Sequence, residues 1–297
     1  MTAPPPPPPV PGDRDPGDRD PDRRDPDGRD PDGSGPDDDA VGRDRPASAR
    51  PPRRVPVGKL VVTPLVLAAL LLATWLWIRG ATLDPIERAS LGGGQVRLYI
   101  RQSIELTAVS TVFVLVIAIP AGILLTRRAA RPAVPPAVGL ANLGQATPAI
   151  GLLALLTFWL GIGQKPALVG MVAYAVLPVL SNTMTGLRAI DPALLDAARG
   201  IGMSPLGVLT RVELPLAVPL ILAGVRTALV LNVGTSTLAA FVSGGGLGNL
   251  ITNGILTQRT RVLIVGSVLA VTLALLVDWL ASIAELRLSP RGLEAGR

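Results

Sequence analysis

From residue 60 onward the chain alternates long apolar runs with short polar breaks. Six runs stand out, at about 61–78, 104–126, 138–160, 167–187, 214–238 and 262–284. Each is close to the ~20 residues that carry a helix across a bilayer at 1.5 Å per residue. A helix on the surface of a soluble protein keeps a polar face at 3.6-residue spacing, and the first and last runs show almost none. The pattern predicts six transmembrane helices. Pro64, Pro120, Pro148, Pro178 and Pro219 fall inside five of the runs. In lipid such residues are tolerated where neighbouring helices satisfy the freed carbonyls, so they either shape packing or act as hinges.

The first 59 residues are of a different kind. They hold 16 of the 30 prolines, 13 of the 22 acidic residues and 11 of the 28 basic ones. Prolines recur every five positions from Pro11 to Pro36, after a Pro4 to Pro9 run. Such a segment cannot hold a helix and has too few apolar residues for a core, so residues 1–59 are expected to be a disordered Pro/Asp/Arg-rich cytoplasmic tail. It is a solvated mixed-charge tail or a docking arm. It lacks the pattern of a signal peptide. With the tail set apart, 60–80 is the first membrane helix and 100–287 the main membrane domain.

The chain has no His and no Cys, which excludes a Ser-His-Asp triad, a cysteine nucleophile, disulfides and thiolate metal sites. Its only lysines, Lys59 and Lys165, do not follow a phosphate-binding glycine run. The chain is therefore expected to have no catalytic residues, metal or cofactor of its own. The high pI does not point to nucleic acid, because the basic residues outside the tail form no stripe. They point instead to orientation. With the tail inside, fifteen basic residues flank the runs on the inner side and seven on the outer, which predicts both termini cytoplasmic and 80–102 and about 239–260 outside. Trp75, Trp77, Tyr99, Phe158 and Trp159 then fall near the outer surface as an aromatic belt.

The longest inner stretch is 188–213, RAIDPALLDAARGIGMSPLGVLTRVE. Asp191-Pro192 predicts a helix start, Gly200 and Gly202 its end, and Ser204-Pro205 a second start. Ala197, Ala198, Gly200 and Gly202 give this helix–turn–helix a small-residue surface suited to a partner's groove. Asp196-Ala197-Ala198, three residues, Gly202, nine residues, Val212, one residue and Leu214-Pro215 resembles the EAA loop of binding-protein-dependent ABC importer permeases. Asp196 stands where that family usually has Glu, and Val212 where it has Ile. Ser181 to Leu187, Ala198 to Met203, Glu213 to Ala217, Ala223 to Ala228, Gly234 to Leu238 and Phe241 to Gly248 resemble the osmoprotectant branch, over about residues 100–285.

The resemblance implies an all-α integral membrane protein of about six transmembrane helices with the type I ABC importer permease fold. It implies a transport subunit in the cell membrane, not an enzyme, for a compatible solute such as glycine betaine, carnitine or choline. It implies a partner ABC ATPase that uses the ATP and docks on the 188–213 coupling loop, an extracytoplasmic substrate-binding protein, and a second permease copy or related permease. Permeases for amino acids, methionine or sulfonate share parts of these motifs and stay open, as does an ion-coupled secondary transporter.

Polar residues within the runs are candidates for the translocation path: Gln145, Thr147, Asn182, Thr183, Thr185, Arg226, Asn232 and Thr235. Arg226 lies twelve residues into its run, where a charge costs at least ~2.5–3.5 kcal/mol and needs a partner or a wet cavity. Asp278 is expected to reach the inner interface. Gly244, Gly245, Gly246 and Gly248 read as a tight outer turn between the last two helices, bearing on a gate or on docking of the binding protein. The nine aromatic residues show no cage for a quaternary ammonium group, so a betaine-like substrate is expected to be selected by the binding protein.

Overall fold

The computed structural model describes residues 57–288. The proline repeat and most of the predicted tail lie outside the described residues. Among the described residues all regular structure is helical. Five helices are long and apolar enough to cross a bilayer: α1 (Val57–Arg79), α3 (Gly93–Thr126), α6 (Gln164–Arg188), α9 (Leu214–Ser236) and α11 (Thr260–Leu288). A sixth span is possible only as a bent pair, α4 (Val134–Ala146) with α5 (Ala149–Leu160). Shorter helices are α2 (Pro85–Ser90), α7 (Pro192–Gly200), α8 (Pro205–Val208) and α10 (Gly248–Leu256).

The third predicted span is thus not one rod. Its halves meet at 102° across Thr147 and Pro148. The cause is local: a proline disfavours the helical conformation of the residue before it, and Thr147 has ψ 135°. The corner is held from two sides. The Thr147 hydroxyl donates to the Leu143 carbonyl at 2.6 Å, and the Tyr174 hydroxyl donates to the Thr147 carbonyl. Pro64, Pro120, Pro178 and Pro219, by contrast, stay inside continuous helices.

Two boundaries also move. α1 starts at Val57, inside the stretch expected to be tail. α3 starts at Gly93, so the last ten residues of the expected 80–102 loop are its first turns. At 34 residues, α3 is about 51 Å long, well beyond the ~30 Å apolar layer.

The centre of the molecule is the α3–α6–α9 bundle. Val114, Ala118, Ala175, Val179 and Ala228 are buried there at zero exposure. Small residues set the spacing. A Cβ at Gly122 would lie 2.8 Å from Thr183, and one at Gly224 would lie 2.8 Å from the Asn182 Cβ and 2.9 Å from the Pro178 carbonyl. Bilayer lipid supplies no hydrophobic drive between helices, so close backbone approach and interhelical hydrogen bonds are what hold such a bundle. α11 packs on α9, and α1 packs on α11. α1 is the least enclosed span, with Leu65, Leu72 and Trp75 at least half exposed.

Candidate functional site

The 188–213 segment closes one end of the bundle. Asp191 caps α7 by accepting from the Ala193 N–H at 2.9 Å, with Pro192 at the first helical position. Ser204 caps α8 by accepting from the Gly207 N–H at 3.2 Å. Both starts were legible from the sequence. Between them Gly202 has φ +88°, a left-handed conformation that glycine adopts without penalty. α8, a π-helical turn (Leu209–Glu213) and α9 follow one another without a loop, so the second helix of the segment feeds directly into the membrane.

α7 has two faces. Ala198 is buried and Leu195 packs with Leu187, Ile190, Ala217 and Ile221, which seats the helix on the ends of α6 and α9. Ala193, Ala197 and Gly200, spaced i, i+4, i+7, are exposed, and Leu194 and Ile201 beside them leave large apolar side chains in the open. Asp196 is exposed and pairs with Arg199, one turn on, at 3.1 Å. Among the expected coupling residues Asp196, Ala197, Gly200 and Gly202 therefore face outward. Ala198 faces the chain's own core, and Leu214 and Pro215 lie in the first turn of α9.

At the base of the segment sits a feature that pattern reading missed. Glu213 is buried, and its carboxylate accepts both terminal N–H groups of Arg127, at 3.0 and 2.5 Å. The hydrogen-bonded carboxylate holds the Arg127 guanidinium above its ordinary pKa, against the opposing cost of burial.

The polar residues inside the spans divide into distinct groups. Thr183 and Asn232, expected on a path, are buried at zero exposure between helices. Thr183 back-bonds to the Val179 carbonyl, and the Asn232 amide donates to the Thr111 hydroxyl at 3.0 Å, tying α9 to α3. Arg226 is not a free charge: its Nε and Nη2 donate to Asp278 at 2.6 and 2.8 Å, and Glu285 lies 3.6 Å away. Asp278 is therefore the partner of Arg226 on α11 and not a residue reaching for the interface. Thr185 is exposed, and Gln145 and Asn182 are half-buried. Thr235 lies with Ala149 and Tyr174 around a small void beside the Thr147 corner.

The opposite end is built around the glycine run. It is not a simple turn between the last two helices, because Gly248 opens α10, which packs back against α11. Gly245 and Gly246 have φ +92° and +91°. The Gly246 N–H donates to Gln102 Oε1 at 2.9 Å and the Leu247 N–H to Ser103 Oγ at 2.8 Å, so α3 holds the run by two backbone donors. Gly244 and Gly248 are buried. Nearby, Asp84 and Glu87 form a reciprocal capping box at the start of α2 and pair with Arg259 and Arg261, at 2.9 and 3.1 Å, clamping α2 to the α10–α11 turn.

An antiparallel α6 and α9 joined by a capped, outward-facing helical segment, with a bent span beside them, is a shared architecture. The model of the "Binding-protein-dependent transport system inner membrane component" family matches residues 118–290, more than half of the chain. The chain belongs to this family. It is 36% identical over 202 residues to the choline transport system permease protein OpuBB of Bacillus subtilis, covering 68% of this chain and 92% of that one. It is 34% identical, with the same coverage, to the glycine betaine/carnitine/choline transport system permease protein OpuCB of the same organism. The osmoprotectant import permease protein OsmW of Salmonella typhimurium is 38% identical over 197 residues, 65% of this chain and 91% of that one. Among solved structures, the inward-facing MetNI methionine ABC transporter superposes with a TM-score of 0.58 at 24% identity, covering 67% of this chain and 100% of that one, which supports the fold. The fold is that of a type I ABC importer permease, and this chain is a multi-pass membrane component of such a system.

Proposed function

We propose that this chain is the translocation subunit of an ATP-driven importer for a compatible solute with a quaternary ammonium group, of the glycine betaine, carnitine or choline kind. The observation that carries the reading is the build of α7: one side is seated on the bundle through Ala198 and Leu195, and the other presents a small-residue stripe flanked by exposed Leu194 and Ile201. Exposed apolar side chains on a rigid, capped helix are an unfavourable surface unless a partner covers them. A cytosolic ATPase is that partner, so both termini and the 188–213 segment are cytoplasmic and the glycine-run end faces outward, toward a substrate-binding protein. A second permease, identical or related, completes the path. The names of the three relatives support the substrate class.

Within this reading Thr185, Asn182, Gln145, Thr147 and Thr235 remain candidates for the path, because they are exposed or half-buried. Asn232 ties α9 to α3, Thr183 fills the close approach of α6 to Gly122, and Arg226 ties α9 to α11. The chain supplies no ATP chemistry in this scheme; the ATPase does.

Orientation has a direct test, since the chain has no native Cys. Gly93 and Ile201 are both exposed. On intact cells an impermeant thiol reagent should label Gly93→Cys and leave Ile201→Cys untouched until the membrane is opened. Labelling of Ile201→Cys from outside would overturn the orientation. For function, vesicles holding the chain with its ATPase and binding protein should accumulate radiolabelled betaine or choline only when ATP is present on the ATPase side. Uptake driven by an ion gradient without the ATPase would overturn the reading.

A further inference from the structure

Of the three carboxylates on the 188–213 segment, Asp191 and Asp196 are exposed and only Glu213 is buried. It lies where the π turn Leu209–Glu213 hands over to α9. A π turn carries one residue more than an α turn, which rotates what precedes it by roughly 100° relative to an unbroken α-helix. At that seam the chain reaches across 86 positions to Arg127, the cap residue at the end of α3, with two parallel N–H···O bonds. An apolar cluster also packs this end: Leu187, Ile190, Ala217 and Ile221, with Ile119 and Ile123 of α3 beside them. Apolar contacts are non-directional and let surfaces slide, whereas a bidentate fork fixes both distance and angle. A second directional bond joins the same two helices further along, from Asn232 of α9 to Thr111 of α3. Two such bonds at separate heights prevent α3 and α9 from rotating or sliding independently.

We propose that the Arg127–Glu213 pair is a strut that carries displacement of the 188–213 segment into α3, so that α3 and α9 move as one body when the ATPase pulls. This inference rests on the coupling role proposed above. Arg127 and Glu213 are positioning residues, touching neither ATP nor substrate. The strut acts at the π turn, where the segment enters α9.

The test uses the complete importer in vesicles, with uptake and ATP hydrolysis measured together. Glu213→Gln and Arg127→Gln should still insert and co-purify with the ATPase, and binding-protein-stimulated hydrolysis should persist. Solute taken up per ATP should fall about ten-fold, within the range usual for coupling between sites. Arg127→Lys, which keeps one charged donor, should recover part of it. Because neutral variants can fail to fold, the Arg127→Cys/Glu213→Cys double variant is also measured, in a chain with no other cysteine. Bridging the two thiols with a short, reducible bifunctional thiosulfonate should raise uptake per ATP, and reduction should lower it again in the same preparation. Wild-type uptake per ATP in the neutral variants, or no difference between bridged and reduced double variant, overturns the strut. Loss of ATPase co-purification in the neutral variants also overturns it, since the pair would then shape the docking face. If the wild-type chain itself binds no ATPase, the coupling reading fails instead.

Discussion

Two glycine-bearing turns lie at opposite ends of α6 and α9. Both need a left-handed backbone, with φ +88° at Gly202 and +92° and +91° at Gly245 and Gly246. Their surroundings differ. A Cβ at Gly202 would have no atom within 4 Å. At Gly245 and Gly246 it would lie 2.7 Å from the Gln102 side-chain oxygen and 2.8 Å from Ser103 Oγ, and at Gly248 only 1.9 Å from the Thr237 carbonyl oxygen. The Gly202 turn is glycine for its backbone conformation alone, and the space around it is left free. The other run is glycine because the chain's own helices occupy the volume. The open turn leaves room for a side chain; the filled one is part of the packing of the fold.

The two turns differ most when the filled one is overfilled. Gly248→Ala forces a methyl group against a backbone carbonyl that cannot step aside, and should cost more than about 4 kcal/mol. Folded, detergent-soluble protein should be largely lost; normal yield and melting would show that the run is looser than it looks. Ser103→Ala is milder. It leaves the buried Leu247 N–H without its acceptor, at about 1–3 kcal/mol, read as a lowered melting temperature with insertion kept.

At the open turn the effect should move from stability to function. Gly202→Asp costs this chain about 1 kcal/mol or more for its left-handed backbone. The added Cβ meets no atom within 4 Å in the isolated chain, so insertion should hold while ATPase co-purification, stimulated hydrolysis or uptake falls. Wild-type values for all three would remove the segment from the coupling role. The smallest change is Gly200→Ala, at the end of α7, also open within 4 Å. It should alter stability by no more than about 1 kcal/mol, in the stabilising direction. Any loss of ATPase affinity would then report how closely the partner approaches α7.

The apolar spans and the helix starts of the 188–213 segment were legible in the sequence because their causes are local. Apolar length fixes a membrane helix, an Asp-Pro or Ser-Pro pair fixes a helix start, and Gly202 fixes a turn; each depends on a few neighbouring residues. Even the Thr147–Pro148 corner had its local signal, since Pro148 was visible, but whether a proline kinks a helix or breaks it depends on what can hold the freed groups. Tyr174, 27 positions away, helps decide that.

What only the tertiary structure decided is the pairing of polar groups across the bundle. Arg226 finds Asp278 at a separation of 52 residues, Arg127 finds Glu213 at 86, Asn232 finds Thr111 at 121, and the glycine run finds Gln102 and Ser103 at 144. The sequence could mark Arg226 as needing a partner, because an unpaired charge in lipid is costly, yet nothing in the local pattern names which carboxylate answers it. That choice follows from how α3, α9 and α11 dock, and their docking is set by small residues whose role emerges only when two backbones come within contact.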